Sequence, residues 1–205
     1  MTLRFTPPTD LSRYEGFIFD CDGTLIDSMP VHFLAWREAL QASGANFDFS
    51  WDEFLSRAGM STQRTVDELE GKYGCIIDRP LLAEVKLGAY QRLEPSIQGI
   101  PEVVAFARSL AGRYPLAVAS GSHREEIIHV LSRLELLDLF LTVITPEDVP
   151  FGKPAPDMFL LAASRLEVHA STCLVVEDGA SGILAAENAG MDCVIVRPSD
   201  QPLFA

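Results

Sequence analysis

Two aspartates stand two residues apart at the end of a short apolar stretch, residues 17–19. The stretch is typical of a buried strand, and Gly23 marks the point at which the strand must end. In an extended chain the side chains of Asp20 and Asp22 point to the same side, roughly 7 Å apart. Burying two carboxylates requires a counter-charge, which a divalent cation would supply. One carboxylate could then act as a nucleophile while the other donates and recovers a proton.

Four further polar residues follow later apolar stretches, namely Ser120, Lys153, Glu177 and Asp178. The two acids would join the aspartate pair in an all-oxygen cluster, which suits Mg²⁺. Zn²⁺ is disfavoured, because no histidine or cysteine lies at a strand end except Cys21, which strand alternation points away from the acids. Without a metal, these acids would repel one another and some of their pKa values would rise.

Ser120 and Lys153 have the chemistry to bind a phosphate group. Ser120 precedes a predicted helix, where its hydroxyl and the neighbouring N–H groups could bind a phosphate oxygen. Lys153 lies between Gly152 and Pro154, so a stiff backbone would fix a cation that neutralises both the phosphate and Asp20. Taken singly, each residue also fits an ordinary turn, a solvated loop charge or a helix cap. Their joint occurrence at consecutive strand ends predicts a phosphate-binding site.

The elements that must position these residues fall into two blocks. The first strand, 16–20, is followed by predicted helices alone, and from residue 101 helices alternate with strands. Five apolar strands separated by helices predict an α/β fold with a Rossmann-like parallel sheet, buried on both faces and carrying an inserted all-helical domain. Ligands bind such sheets at the carboxyl ends of the strands. The predicted helices are 30–42, 51–57, 62–73, 80–93, 101–111, 123–134, 156–166 and 180–189, and the later strands are 116–119, 141–144, 174–176 and 193–196.

The domain organisation follows from this pattern. We predict an α/β core made of residues 1–28 and 95–205, interrupted by a helical domain at 29–94. At the start of helix 123–134, Ser122 and Glu125 have the spacing of a capping box.

Composition limits the possible partners and location. The formal net charge of −13 argues against nucleic acid, which selects basic surfaces. No apolar run approaches the roughly 18 residues needed to span a membrane, and the first residues lack a secretory segment. The four cysteines are scattered without metal-type spacing, which favours reduced thiols. We therefore expect a cytoplasmic protein with neither a nucleic-acid nor a membrane partner.

The singled-out residues resemble, in order, the four motifs of the haloacid dehalogenase superfamily. The resemblance spans nearly the whole chain, and the helical block occupies the place of that superfamily's helical cap. Within the superfamily, the first motif followed by His32 and Trp36 is similar to the branch that holds β-phosphoglucomutases and fructose-1-phosphatase-like enzymes. The motifs are Asp20-x-Asp22-Gly23-Thr24, Ser120, Lys153 and Glu177-Asp178-Gly179.

The resemblance implies roles in catalysis. Asp20 would be the nucleophile that forms an aspartyl-phosphate, and Asp22 would be the general acid/base. Ser120, with the adjoining Gly121, and Lys153 would bind the transferring phosphoryl group. The helical cap would close over the site and exclude water.

The resemblance also implies a metal and a type of substrate. Asp20, the backbone carbonyl of Asp22, and Asp178 would bind Mg²⁺, with Glu177 in support. The partner would be a small phosphorylated metabolite. Relatives with a cap of this size are often monomers, so we expect a monomer.

The helical block bears on which reaction takes place. Residues 59–64 align with a substrate-recognition loop in which β-phosphoglucomutases carry an Arg directly after a Ser. Here Thr62 follows the Ser, and Arg64, two residues on, does not share its helix face. This arrangement resembles fructose-1-phosphatase-type members and favours hydrolysis of a small sugar phosphate. His32 matches a histidine that helps mutases select sugar over water, so a phosphosugar mutase remains an alternative. Arg64 also fits an ordinary surface cation, and His32 also fits a partly buried histidine without a catalytic role.

Three other classes fit the residues less well. A dehalogenase would use the same fold, but a proton donor at Asp22 is characteristic of the phosphotransfer relatives. A response-regulator receiver has its phosphorylated aspartate mid-chain and no helical insertion after the first strand. A non-catalytic sugar-phosphate-binding module would not need the intact aspartate pair.

Overall fold

The computed structural model describes residues 5–57 and 60–197 of the 205-residue chain. These residues belong to two compact units. One unit contains the residues up to Asp27 and those from Gln98 onward, and the other is Ser28–Ile97. The predicted domain boundaries fall within a few positions of this division. That the second unit acts as a cap stays a prediction.

Five short strands form the sheet of the first unit. They are β1 Gly16–Phe19, β2 Leu116–Ala119, β3 Thr142–Ile144, β4 Cys173–Glu177 and β5 Asp192–Ile195. Every pairing is parallel, and the strand order is β3-β2-β1-β4-β5. β1 is therefore central, and the carboxyl ends of its two neighbours flank its own. The arrangement confirms the predicted α/β fold class with its parallel five-stranded sheet.

Eight α-helices lie within the residues that the structure describes. Four of them belong to the second unit and follow β1 directly, as the sequence predicts, and the other four alternate with the later strands. They are α1 Met29–Ala42, α2 Trp51–Leu55, α3 Thr62–Tyr73, α4 Arg79–Leu93, α5 Pro101–Leu110, α6 Arg124–Arg133, α7 Asp157–Arg165 and α8 Ala180–Asn188.

The sheet is covered on both faces, because alternation along β1 sends successive side chains to opposite sides. Ile18 lies in a buried cluster with Phe159 of α7 and with small residues of α8. On the opposite face, the rings of Phe17 and Phe19 lie 6.0 and 6.1 Å from the ring of Phe106 in α5. With both faces apolar, the ends of the strands are the places where polar side chains can collect.

The second unit has an aromatic core of its own. The ring of Phe33 in α1 lies 6.2 Å from that of Phe49 and 5.6 Å from that of Phe54 in α2. Residue 59, the first position of the predicted substrate-recognition loop, lies outside the described residues. After it, α3 begins at Thr62 with Ser61 as its N-cap, whose hydroxyl accepts a hydrogen bond from a backbone N–H of the first turn.

One predicted local motif is wrong. α6 begins at Arg124, and its N-cap is His123, which makes no side-chain capping bond. Ser122 therefore lies one position too early to form a capping box with Glu125. Its hydroxyl makes a different contact, described below, with a carboxylate from the first strand's loop.

Candidate active site

Three acidic side chains meet at the carboxyl ends of the two adjacent central strands. The backbone of Asp20 continues the pairing of β1, since its N–H donates to the carbonyl of Val176 in β4 at 2.9 Å. Glu177 ends β4, and Asp178 follows it. Asp20, Glu177 and Asp178 each offer one oxygen within 4.8 Å of the others. The sheet thus brings together acids that are more than 150 positions apart in the sequence.

A tight turn holds Asp22 beside the strand end. The carbonyl of Cys21 accepts hydrogen bonds from the N–H groups of Leu25 and Ile26, at 2.9 and 3.0 Å. Gly23 has a φ of +85°, a conformation that side chains with a Cβ rarely adopt. The glycine of the first motif is therefore required by the backbone, and the turn it permits fixes the position of the second aspartate.

The Lys153 side chain reaches into the acid cluster from the loop between β3 and α7. Its Nζ donates to Oδ1 of Asp20 at 2.7 Å and to Oε1 of Glu177 at 2.8 Å. Its side chain is only 8% exposed, and Nζ lies 5.0 Å from the centre of the Phe159 ring. A buried ammonium in contact with two carboxylates is a strongly bound, fixed positive charge.

Burial and mutual repulsion disturb the titration of the cluster. Burial raises the pKa of Asp20 well above its ordinary value, and the nearby charges of Glu177 and Asp178 add to this while Lys153 opposes it. Burial, with a further contribution from Glu177, raises the pKa of Asp178 to about 7. Burial alone would lower the pKa of Lys153, but its two carboxylate partners outweigh burial and raise it, so the side chain is a cation.

This charge distribution fits a divalent cation. Two buried acids, Asp20 and Glu177, and the half-buried Asp178 face the Lys153 ammonium, so negative charge remains uncompensated whenever all three are ionised. Carboxylate oxygens are also the ligands that Mg²⁺ prefers. The Asp22 carboxylate lies outside this group of three, and the role of its backbone carbonyl as a metal ligand stays a prediction.

Two serines of the loop between β2 and α6 converge on the Asp22 carboxylate. The hydroxyl of Ser122 donates to Oδ2 at 2.7 Å, and that of Ser120 donates to the same oxygen at 3.3 Å. Ser120 is fully buried, and its hydroxyl also accepts a hydrogen bond from the N–H of Ser122 at 3.1 Å. Gly121, between them, is exposed. The predicted phosphate-binding loop therefore lies against the predicted acid/base.

Close contacts also hold the two acids of β4. The hydroxyl of Thr24, which is fully buried, donates to Oδ1 of Asp178 at 2.9 Å. Glu177 accepts a hydrogen bond from the N–H of Gly179 and lies directly against Gly182 in α8. A Cβ at Gly182 would lie 1.6 Å from Oε1 of Glu177 and 2.1 Å from its Cδ. Only glycine leaves room for this carboxylate where it is.

The three remaining predicted site residues belong to the helical unit. Thr62 is exposed at the start of α3. The Arg64 side chain is 69% exposed and forms an ion pair with Glu68 one turn further on, at 3.2 Å. His32 in α1 is half-buried, and its ring stacks on that of Tyr90 at 4.9 Å. Their roles in binding substrate stay predictions.

Sequence reasoning missed three residues of the site. The first motif contains Thr24 but predicts no role for it, and its spacing after the aspartates is the signal that points to one. The capping-box spacing predicts Ser122 as a helix cap, not as a partner of Asp22. Gly182 left no signal in the sequence beyond a glycine inside a predicted helix, a position at which glycine has a cost and therefore often a packing reason.

Comparison with known proteins identifies the family. Residues 14–190 match the haloacid dehalogenase-like hydrolase family, and this range contains every acid, serine and lysine of the site. The chain belongs to the haloacid dehalogenase-like hydrolase family. The predicted resemblance is thereby confirmed.

Individual relatives of this haloacid dehalogenase-like hydrolase are similar over nearly their whole length. The fructose-1-phosphate phosphatase YqaB of Escherichia coli is 38% identical over 186 residues, covering 90% of this chain and 97% of the relative. The β-phosphoglucomutase of Bacillus subtilis is 31% identical over 202 residues, covering 93% of this chain and 86% of the relative. A crystal structure of a hydrolase from Pseudomonas syringae is 31% identical, with a TM-score of 0.73 over 87% of this chain and 82% of that one.

These similarities confirm the predicted enzyme class, a phosphoric monoester hydrolase. Within the described residues, no helix combines the length and the apolar character that crossing a membrane requires.

The close approach of Glu177 to Gly182 predicts that adding one methyl group at position 182 has a strong effect. In Gly182→Ala, the Glu177 carboxylate must move and lose its bonds to Gly179 and Lys153, so we expect aryl phosphate hydrolysis to fall by about tenfold or more. Gly88→Ala in α4 is the matched control, because nothing lies within 4 Å of a Cβ there. Steady-state kinetics and thermal melting of both variants check this. Equal activity in the two alanine variants would contradict the argument.

The raised pKa of the Asp178 carboxyl predicts how the stability of the protein depends on pH once divalent cations have been removed. Its pKa is about 7 in the fold against an ordinary 3.8, so the folded state binds more protons between these values and its stability falls as pH rises through them. We expect the melting temperature to be several degrees lower at about pH 8 than at about pH 5.5.

The Asp178→Asn variant is the control for this pH dependence, since it cannot ionise and should show a smaller change between the two conditions. Added Mg²⁺ should raise the melting temperature of the unaltered protein more at the higher pH, because a cation replaces the proton. An identical pH dependence in the variant would refute the assignment to Asp178.

Proposed function

We propose that this protein is a Mg²⁺-dependent phosphatase that hydrolyses a small sugar phosphate through an aspartyl-phosphate on Asp20. The observation that carries the proposal is the contact between Nζ of Lys153 and Oδ1 of Asp20, 2.7 Å apart within a cluster of three acids. A stabilising role alone does not explain it, because a second buried acid and the half-buried Asp178, beyond the one acid that Lys153 neutralises, would cost stability. Perturbed groups of this kind are concentrated at functional sites.

The first step transfers the phosphoryl group to the enzyme. A carboxylate oxygen of Asp20 attacks phosphorus, and the bond from phosphorus to the sugar oxygen breaks. Asp22 gives its proton to the departing sugar oxygen. Lys153, Ser120 and the backbone at Gly121 bind the phosphoryl oxygens, so the reaction gains from fixed positive charge and from orientation.

The second step regenerates the enzyme. Asp22 accepts a proton from a water molecule, the water oxygen attacks phosphorus, and the bond to the Asp20 carboxylate breaks, releasing inorganic phosphate. Asp20, Asp178 and the Asp22 backbone carbonyl would hold Mg²⁺, with Glu177 in support. When bound, the ion would supply positive charge that compensates the cluster and the phosphoryl group.

The substrate class is supported by the relatives and by the helical unit. One similar protein is named as a fructose-1-phosphate phosphatase, and Thr62 stands where mutase relatives carry an arginine. The mutase remains the second candidate, because another similar protein is a β-phosphoglucomutase and because His32 occupies the corresponding histidine position. We propose that Thr62, Arg64 and His32 contribute to sugar recognition. A monomeric state and a cytoplasmic location remain predictions.

Asp20→Asn should abolish Mg²⁺-dependent turnover of an aryl phosphate, because an amide cannot form the phosphorylated intermediate. Asp22→Asn should permit at most slow phosphorylation by a sugar phosphate, since the nucleophile remains while proton transfer to the leaving sugar oxygen is lost; general acid/base groups typically contribute about 10²–10⁴-fold. Steady-state rates and mass spectrometry of the acid-quenched protein measure both effects. Retained metal-dependent activity in clean Asp20→Asn protein would refute the nucleophile assignment.

A panel of fructose 1-phosphate and the glucose 1-phosphate anomers separates the phosphatase from the mutase. We expect free phosphate to be the main product, with fructose 1-phosphate among the better substrates. Enzymatic phosphate release and chromatography of the sugar phosphates measure the two outcomes in one reaction. Dominant isomerisation of a glucose phosphate would reverse the order of the two candidates.

A further inference from the structure

The loop between β2 and α6 forms a small ring of hydrogen bonds with Asp22. The Ser122 hydroxyl donates to Oδ2 of Asp22 at 2.7 Å, and the Ser122 N–H donates to the Ser120 hydroxyl at 3.1 Å. The Ser120 hydroxyl in turn lies 3.3 Å from the same Asp22 oxygen. Of the two hydroxyl contacts, the one from Ser122 has the shorter and stronger geometry.

The position of Ser122 leaves its hydroxyl available for this contact. The residue precedes the N-cap of α6, so its side chain does not bond to the first turn of the helix. Both Ser122 and Asp22 are half-buried, whereas Ser120 is fully buried. The contact therefore lies at the partly open side of the cluster, where a substrate can approach.

We propose that Ser122 is a positioning residue for proton transfer: its hydroxyl holds the Asp22 carboxylate in the orientation from which it protonates the leaving sugar oxygen and later deprotonates water. The inference rests on the proposed function, in which Asp22 is the acid/base. No bond to the substrate forms or breaks at Ser122, and its own proton stays on its oxygen.

The two serines thereby have separate tasks. The Ser120 hydroxyl, in the predicted phosphoryl site, must turn towards a phosphoryl oxygen when substrate binds, which ends its long contact with Asp22. The Ser122 hydroxyl keeps its contact during that change. Without Ser122, neither serine of this loop would orient Asp22 at the moment when its orientation matters.

The leaving group distinguishes this role from a general structural one. A sugar alkoxide is a poor leaving group and needs a proton as its bond to phosphorus breaks, whereas a nitrophenolate leaves without one. A misoriented Asp22 should therefore slow phosphorylation of the enzyme by a sugar phosphate much more than phosphorylation by an aryl phosphate. Damage to the phosphoryl site would slow both.

The experiment compares Ser122→Ala with the unaltered enzyme in single-turnover reactions, with enzyme in excess over fructose 1-phosphate or over 4-nitrophenyl phosphate. We expect about a tenfold or larger loss in the rate of fructose release and less than about a threefold change in nitrophenol release. Ser122→Thr keeps the hydroxyl and should restore most of the lost rate.

Ser109→Ala provides a matched control. Its hydroxyl also makes one hydrogen bond, at 2.7 Å to the carbonyl of Phe106 in α5, outside the site. This variant should keep both rates. Thermal melting of all variants identifies any loss caused by unfolding.

Each result bears on the proposal. Equal losses with the two esters, no loss with fructose 1-phosphate, or a Ser122→Thr variant as slow as Ser122→Ala would overturn the positioning role while leaving the phosphatase intact. If the unaltered enzyme shows no Asp20-dependent turnover of either ester, the proposed function fails, and the role of Ser122 fails with it.

Discussion

A surplus of buried negative charge is the feature around which the first unit of this protein is built. Three carboxylates each have an oxygen within 4.8 Å of the others, and the ammonium of Lys153 bonds to two of them, Asp20 and Glu177. Each charge that loses water without full compensation costs free energy, so the arrangement opposes stability unless another positive charge is present. This unfavourable burial of charge is reflected in the raised pKa values of the Asp20 and Asp178 carboxyl groups. An acidic cluster of this kind has the charge and the oxygen ligands that a divalent cation requires.

The parallel sheet is what makes such a cluster possible. The register pairs Phe19 of β1 with Val176 of β4, so the next residues, Asp20 and Glu177, lie side by side on adjacent strands about 4.8 Å apart. A one-residue shift in this register would turn one of the acids into the opposite face. Apolar packing along both faces of the strands therefore fixes the geometry of the acids beyond their ends. Lys153 lies in the loop after β3, and β2 separates β3 from β1 in the sheet. A long side chain is therefore needed to reach both acids.

The sequence was sufficient to predict the fold class and the principal acids, because both depend on patterns that are local. Apolar runs define the strands, and each acid that matters directly follows or ends such a run, so the rule for parallel sheets places them together. Nζ of Lys153 lies 2.7 Å from Oδ1 of Asp20, and its stiff neighbours restrict where that side chain can lie.

What escaped prediction depends on distances of a few ångströms between distant segments. α6 begins one residue later than the sequence predicts. Ser122 is therefore not its cap, and its hydroxyl contacts Asp22 instead. Gly182 is needed because the Glu177 side chain turns towards α8, and no local pattern encodes that direction. The bond from Thr24 to Asp178 joins residues 154 positions apart. Such contacts are decided by tertiary packing, and neither secondary-structure propensity nor hydrophobic periodicity predicts them.

The two units also differ in how firmly they hold their charged groups. Lys153 is bound by two buried carboxylates and has little freedom to adapt to one substrate over another. Arg64, by contrast, is paired with Glu68 at the surface, an interaction worth about 0–1 kcal/mol, so this ion pair can be broken at small cost. His32 is intermediate, held by stacking on Tyr90. The charged groups at the strand ends are thus fixed by burial and paired charge, whereas these polar groups of the helical unit are held by a surface ion pair and by ring stacking.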